Sequence, residues 1–141
     1  MAEAVFRQMV QERGLAQRIE IDSAGLSDWH VGARPHRGTL EVLTTHGIAH
    51  ESIRSRQIQR ADLRNFDYIV AMDDENMQGL QRLGAELGSK VFRLLDLVAE
   101  VPDKNVPDPY YSGNFEQVYQ LVNVGCQRLL EKIIQQIEHT T

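Results

Sequence analysis

The 141-residue chain has a single cysteine, no apolar run long enough to cross a bilayer and no concentrated stretch of positive charge. Each absence removes a class of answer. One thiol cannot build an internal disulfide framework, which fits a reducing compartment. Without about 20 consecutive apolar residues no transmembrane helix is expected. The opening MAEAVFRQMVQERG reads as an amphipathic helix rather than an export signal, so the expected location is the cytoplasm. Lys and Arg are scattered and the formal charge is -5. Nucleic acid, which demands a basic stripe to displace counterions, is therefore not an expected partner. A local anion site remains open, because one helix amino terminus beside an arginine can hold a phosphate whatever the global charge.

Internal repeats and low-complexity tracts are also absent. What is present is 42% hydrophobic and 25% charged residues over a length that suits one core, so residues 1–141 are expected to form a single domain. Ala2, Phe6, Met9 and Val10 share a helical face ahead of Gly14. No Ser, Thr, Asp or Asn precedes that helix to cap its amides, so it starts as if a lead-in had been removed. Residues 19–25 alternate and then stop at glycine, as a short strand entering a loop does. The aperiodic stretch 25–36 feeds a second helix over about residues 39–46, ended by Gly47. Next come a short helix over residues 60–66 and a buried strand over 68–72. A helix opens on Asp73, Asp74 and Glu75, whose charges suit the positive end of its dipole, and runs to about Leu83. A strand at 91–94, a Pro- and Asp-rich loop at 101–113 and a long helix over about 114–139 complete the chain.

That order is α/β. It predicts a doubly wound, flavodoxin-like parallel sheet with helices on both faces, with three strands legible and the first, central strand missing from the chain. A sheet without its middle strand leaves ladder groups on its neighbours unpaired, so low stability or formation of an oligomer is expected.

Individual residues offer several candidates. Asp108, standing before a proline in a loop, reads on pattern alone as a turn former. His46 and His50 have the spacing of a zinc helix. Gly47 falls between them, however, and no carboxylate or cysteine completes a set, so no metal site is expected. Arg54, Arg56 and Arg60 read as a solvated, salt-bridged face. Cys126 lies within the apolar stripe of the last helix, with Lys132 rather than an arginine six residues on. It reads as a buried structural thiol.

Several strings follow one another along essentially the whole chain: Met1-Ala2-Glu3-Ala4-Val5-Phe6, Asp22-Ser23-Ala24-Gly25, Trp29-His30-x-Gly32 and Arg56-Gln57. After them come Phe66-Asp67-Tyr68-Ile69-Val70-Ala71-Met72-Asp73, Asn76 and Asp108-Pro109-Tyr110-Tyr111. In this order they resemble the low-molecular-weight protein-tyrosine phosphatases, the bacterial members most closely. The resemblance implies a hydrolase acting on phosphotyrosine proteins or small aryl phosphates through a phosphocysteine intermediate, without metal or cofactor.

In that family a strand leads into Cys-(x)5-Arg-Ser-Pro, and Met-Ala-Glu-Ala follows at once. This sequence starts at that Met, so neither the nucleophile nor the phosphate-binding arginine has a counterpart, and the chain is expected to be inactive as written. By the same resemblance Asp108 is the general acid, which protonates the leaving phenol oxygen and later activates water. Trp29, Tyr110 and Tyr111 would wall a slot for a flat ring. Ser23 and Asp73 would support the phosphate loop from the carboxyl ends of two strands. A non-catalytic phosphotyrosine-binding module is a second reading, although the arginine and amides it needs lie in the missing loop. Arginine-phosphatase relatives share the scaffold, and Trp29 with the tyrosine pair favours tyrosine over them. A thiol arsenate reductase would need further cysteines.

Overall fold

The computed structural model describes residues 1–26, 32–108 and 113–140. Helix α1, Ala2–Glu12, turns Ala4, Val5, Phe6 and Val10 inward, and Met1 offers it no capping side chain, as the sequence implied. Helix α2 runs over Arg37–Thr45 and is capped by the His36 ring, whose Nδ1 accepts the Gly38 N–H at 3.0 Å. The left-handed Gly47 follows its end (φ 70). The short helix α3 is Asp62–Asn65. Strand β1, Ile69–Ala71, leads through helix α4, Asp74–Leu83, to strand β2, Val91–Arg93. A 3-10 turn over Leu94–Leu97 follows directly, and helix α5, Phe115–Thr140, closes the chain.

β1 and β2 are parallel, with Ile69 opposite Val91, Val70 opposite Phe92 and Ala71 opposite Arg93. A parallel pair requires a crossover, and α4 supplies it. Alternation along the strands divides the core. Tyr68, Val70 and Phe92 join the cluster built with α1, α2 and α5, whereas Ile69, Ala71 and Val91 meet Leu80 and Met77 of α4. Helices thus cover both faces of the sheet, which is the α/β arrangement expected. α5 approaches the 3-10 turn closely because Gly125 has no side chain: a Cβ there would lie 2.5 Å from Cγ of the buried Leu94.

One expected strand does not form. Of residues 19–25 only Gly25 pairs, through its N–H to Arg56 O (2.8 Å) and its carbonyl to the Ile58 N–H (2.9 Å). An extended segment becomes a strand only where a neighbour takes its ladder bonds, and among the described residues 19–24 have no such neighbour, so the sheet has two strands and not three. A cavity of about 1350 Å³ is walled by Ile19 and Ile21 of that segment and by Val70 and Met72 of the β1 region. Among the described residues no helix is long and apolar enough to cross a membrane.

Candidate active site

The first turn of α1 borders this cavity, and its residue Glu3 holds residues 21–23 in place. Arg7 Nη2 donates to Glu3 Oε2 at 2.8 Å and to Ile21 O at 3.0 Å, while Ser23 Oγ donates to Glu3 Oε1 at 2.5 Å. The Glu3 side chain is only 8% exposed, so both of its oxygens are satisfied by these donors rather than by bulk water. Arg56 grips the same segment as well. Its Nε donates to Asp22 Oδ2 at 2.8 Å, and its two terminal nitrogens reach both oxygens of Asp62 at 3.0 and 3.2 Å. That fork, followed by the Gln59 N–H, holds the Asp62 carboxyl below the usual carboxylate range. The salt-bridged reading therefore fits Arg56, while Arg54 donates to the carbonyls of Glu51 and Ile53.

Asp73 stands at the end of β1. Its Oδ1 accepts the Asn76 N–H at 2.8 Å, and Asn76 Oδ1 accepts the Met72 N–H at 3.1 Å, so strand end and helix start lock each other. Asp108 lies two residues beyond the buried Val106, whose N–H donates to Met72 O at 2.9 Å. Ser23, Asp73 and Asp108, drawn from three separate loops, all line the one cavity, together with Met1 and with Ala2 and Glu3 of α1. Trp29, Tyr110 and Tyr111 lie outside the described residues.

Cys126 is in α5 as expected, 1% exposed, with its Sγ 3.9 Å from Ala2 O. Burial pushes its thiol up to about 12. A group held so far above neutrality is not a thiolate, and its edge on the cavity's apolar wall does not make it a nucleophile. Lys132 lies over the Phe92 ring at 5.4 Å. His46 Nε2 contacts Glu116 Oε1 at 2.9 Å and its ring stacks on Tyr119, whereas His50 contacts Thr44 and Arg34, so the two rings serve different neighbours. Asp103 accepts both the backbone and side-chain amides of Asn105, which hold its carboxyl below the usual range.

Two features escaped the sequence reading. The Glu3–Arg7 pair had a signal in its four-residue helical spacing. Asn105 had none, because its partner Asp74 is 31 positions away.

The family profile described as "Low molecular weight phosphotyrosine protein phosphatase" matches residues 1–139. The low molecular weight protein-tyrosine-phosphatase YfkJ of Bacillus subtilis is 47% identical over 134 residues, which are 94% of this chain and 86% of that protein. A crystal structure of YfkJ superposes with a TM-score of 0.91 at 45% identity, covering 96% of this chain and 86% of that one. The low molecular weight protein-tyrosine-phosphatase PtpA of Staphylococcus epidermidis is 37% identical over 134 residues, 95% of this chain and 84% of its own. A crystal structure of DARP, drosophila arginine phosphatase, superposes with a TM-score of 0.83 at 32% identity, covering 94% of this chain and 87% of that one. With the profile spanning nearly every residue and the fold shared at this level of identity, the chain belongs to the low molecular weight phosphotyrosine protein phosphatase family.

Proposed function

We propose that residues 1–141 are a single domain forming the body of a protein-tyrosine phosphatase, and that Asp108 is its general acid. The observation that carries this reading is the convergence of Ser23, Asp73 and Asp108 on one cavity at the amino terminus of α1. A helix start with free amides attracts a phosphate dianion. Ser23 and Asp73 line the same cavity, and in this reading they support a phosphate loop there. By the family resemblance, Trp29, Tyr110 and Tyr111 are the residues assigned to contact the aromatic ring of phosphotyrosine or a small aryl phosphate.

The chemistry runs in two displacements and uses neither metal nor cofactor. A thiolate attacks phosphorus as the P–O bond to the phenol breaks, and Asp108 gives its proton to the leaving oxygen. The Asp108 carboxylate then takes a proton from water as that water attacks the phosphocysteine, which releases phosphate and the thiolate. These 141 residues hold no cysteine able to begin the sequence, since Cys126 is buried and protonated. The chain alone is therefore inactive in this reading, and a strand carrying Cys-(x)5-Arg-Ser-Pro ahead of Met1 restores turnover. Among the described residues β1 has only β2 as a strand partner, and in this reading such a short sheet favours low stability or self-association, which sedimentation at several concentrations reads.

The similarity to the drosophila arginine phosphatase DARP supports a second substrate class, phosphoarginine. Comparing phosphotyrosine with phosphoarginine in the extended protein separates the two: faster turnover of phosphoarginine would replace the tyrosine reading. The test of the primary reading is hydrolysis of an aryl phosphate by the extended protein, with no turnover by the 141-residue chain.

A further inference from the structure

We infer that Asn105 is the positioning residue for Asp108, acting by fastening the loop ahead of it to the first turn of α4. This inference rests on the reading of Asp108 as general acid. Asn105 Oδ1 accepts the Asp74 N–H at 2.7 Å. Its Nδ2 donates to Asp103 Oδ1 at 3.1 Å and, more weakly, to Asp74 Oδ2 at 3.4 Å. The Asp74 N–H belongs to the first helical residue of α4, where the helix has no acceptor of its own to offer. Asp73 takes the amide of Asn76, and the loop residue takes that of Asp74.

The next residue is bonded as well. The Val106 N–H donates to Met72 O at 2.9 Å, and the Val106 side chain is buried. Residues 105 and 106 are therefore tied to residues 74 and 72, on either side of Asp73. That double attachment sets the loop in one register against the cavity rim. Pro107 has its φ fixed by its ring, which leaves little backbone freedom before Asp108. The anchor on α4 is itself braced: Arg93 Nη1 donates to Asp74 Oδ1 at 2.6 Å, and Arg93 Nη2 donates to Asp96 Oδ1 at 2.9 Å. Proton transfer needs the acid within hydrogen-bond reach of the leaving oxygen, so a loop that loses its register loses donation before it loses binding.

The first test uses the chain extended at its amino end by a strand and Cys-(x)5-Arg-Ser-Pro. Asn105→Ala is expected to lower kcat/KM, which reports the first displacement, about 10-fold for phenyl phosphate, whose leaving group needs a proton. For p-nitrophenyl phosphate, whose leaving group departs as an anion, the loss in kcat/KM is expected to stay under about 3-fold, because the hydrolysis of the phosphocysteine that both esters share does not enter kcat/KM. Placed on an Asp108→Ala background, the same change is expected to cost nothing further. Equal losses on both esters, or a full loss added to that of Asp108→Ala, would overturn the proposal.

A second test needs no catalysis. In the 141-residue chain, Asn105→Ala is expected to speed amide exchange at Asp74 about 10-fold and to move the Asp108 amide resonance, while the Leu80 amide stays as it was. An unchanged Asp74 amide overturns the proposal whether or not the extended protein turns over. An extended parent without turnover, beside an Asp74 amide that responds as expected, counts against the general-acid reading and leaves the Asn105 anchor standing.

Discussion

Ser23 Oγ donates to Glu3 Oε1 at 2.5 Å, joining the loop after residues 19–22 to the first turn of α1. Glu3 is the more buried partner of its ion pair, 8% exposed against 41% for Arg7. It accepts from both Arg7 and Ser23, so its loss frees two donors at once.

Glu3→Ala is accordingly expected to destabilise the protein by ~1–2 kcal/mol, because Arg7 can turn to water but Ser23 and Ile21 lose their tether. Glu3→Gln keeps one acceptor and is expected to lose about half as much. Urea unfolding followed by circular dichroism measures both, and a Glu3→Ala midpoint equal to the parent's would show that the clasp contributes nothing.

The Arg56–Asp62 fork ties stability to acid. The folded Asp62 carboxyl titrates below its ordinary value of 3.8, with Arg56 the main cause. Its contribution is complete above that value and is lost as pH falls through the lowered folded value. Asp62→Asn is expected to remove ~1 kcal/mol at pH 7 and to flatten the acid limb of the stability profile. An acid limb with the parent's slope in that variant would contradict the assignment.

Cys126, buried and pushed up to about 12, should resist alkylation. At pH 8 iodoacetamide is expected to label the folded protein at least ~100-fold more slowly than the urea-unfolded chain. Labelling of the folded protein at the unfolded rate would mean that the thiol reaches water.

Two helical glycines are expected to respond differently to the same substitution. Alanine at either gains up to ~1 kcal/mol of helix propensity. At Gly125 the new Cβ meets Leu94, which is 1% exposed and cannot withdraw, so a net loss of ~1–3 kcal/mol is expected. At Gly79 it meets Leu26, which is 38% exposed and can swing outward, so the net change is expected to stay within ~0.5 kcal/mol. Thermal melts of the two variants decide it, and equal shifts would contradict the contrast.

Much of the architecture was legible in the sequence because it rests on local periodicity. The helical stripe from Val118 to Leu130, the apolar run around Val70 and the acidic start of α4 each map onto the elements observed. Residues 19–24 carry strand alternation too, but pairing depends on a neighbour that no local pattern encodes. Residues 91–94 carry a strand pattern, yet β2 ends at Arg93 and Leu94 opens the 3-10 turn, because Asp96 folds back onto the Arg93 N–H at 3.0 Å. The role proposed for Asp108 rests on family resemblance alone, because an Asp before Pro has the same pattern in any turn. Asn105 was invisible for the complementary reason: its meaning lies in an α4 amide that only the fold brings near.

The most direct test compares aryl phosphate hydrolysis by the 141-residue chain, by the chain extended with a strand and Cys-(x)5-Arg-Ser-Pro, and by the extended chain carrying Asp108→Asn. No turnover is expected from the first, steady turnover from the second, and a loss of ~100-fold or more in the third. Hydrolysis by the unextended chain, or an Asp108→Asn enzyme as fast as its parent, would contradict the proposal that none of these 141 residues is the nucleophile and that Asp108 is the general acid.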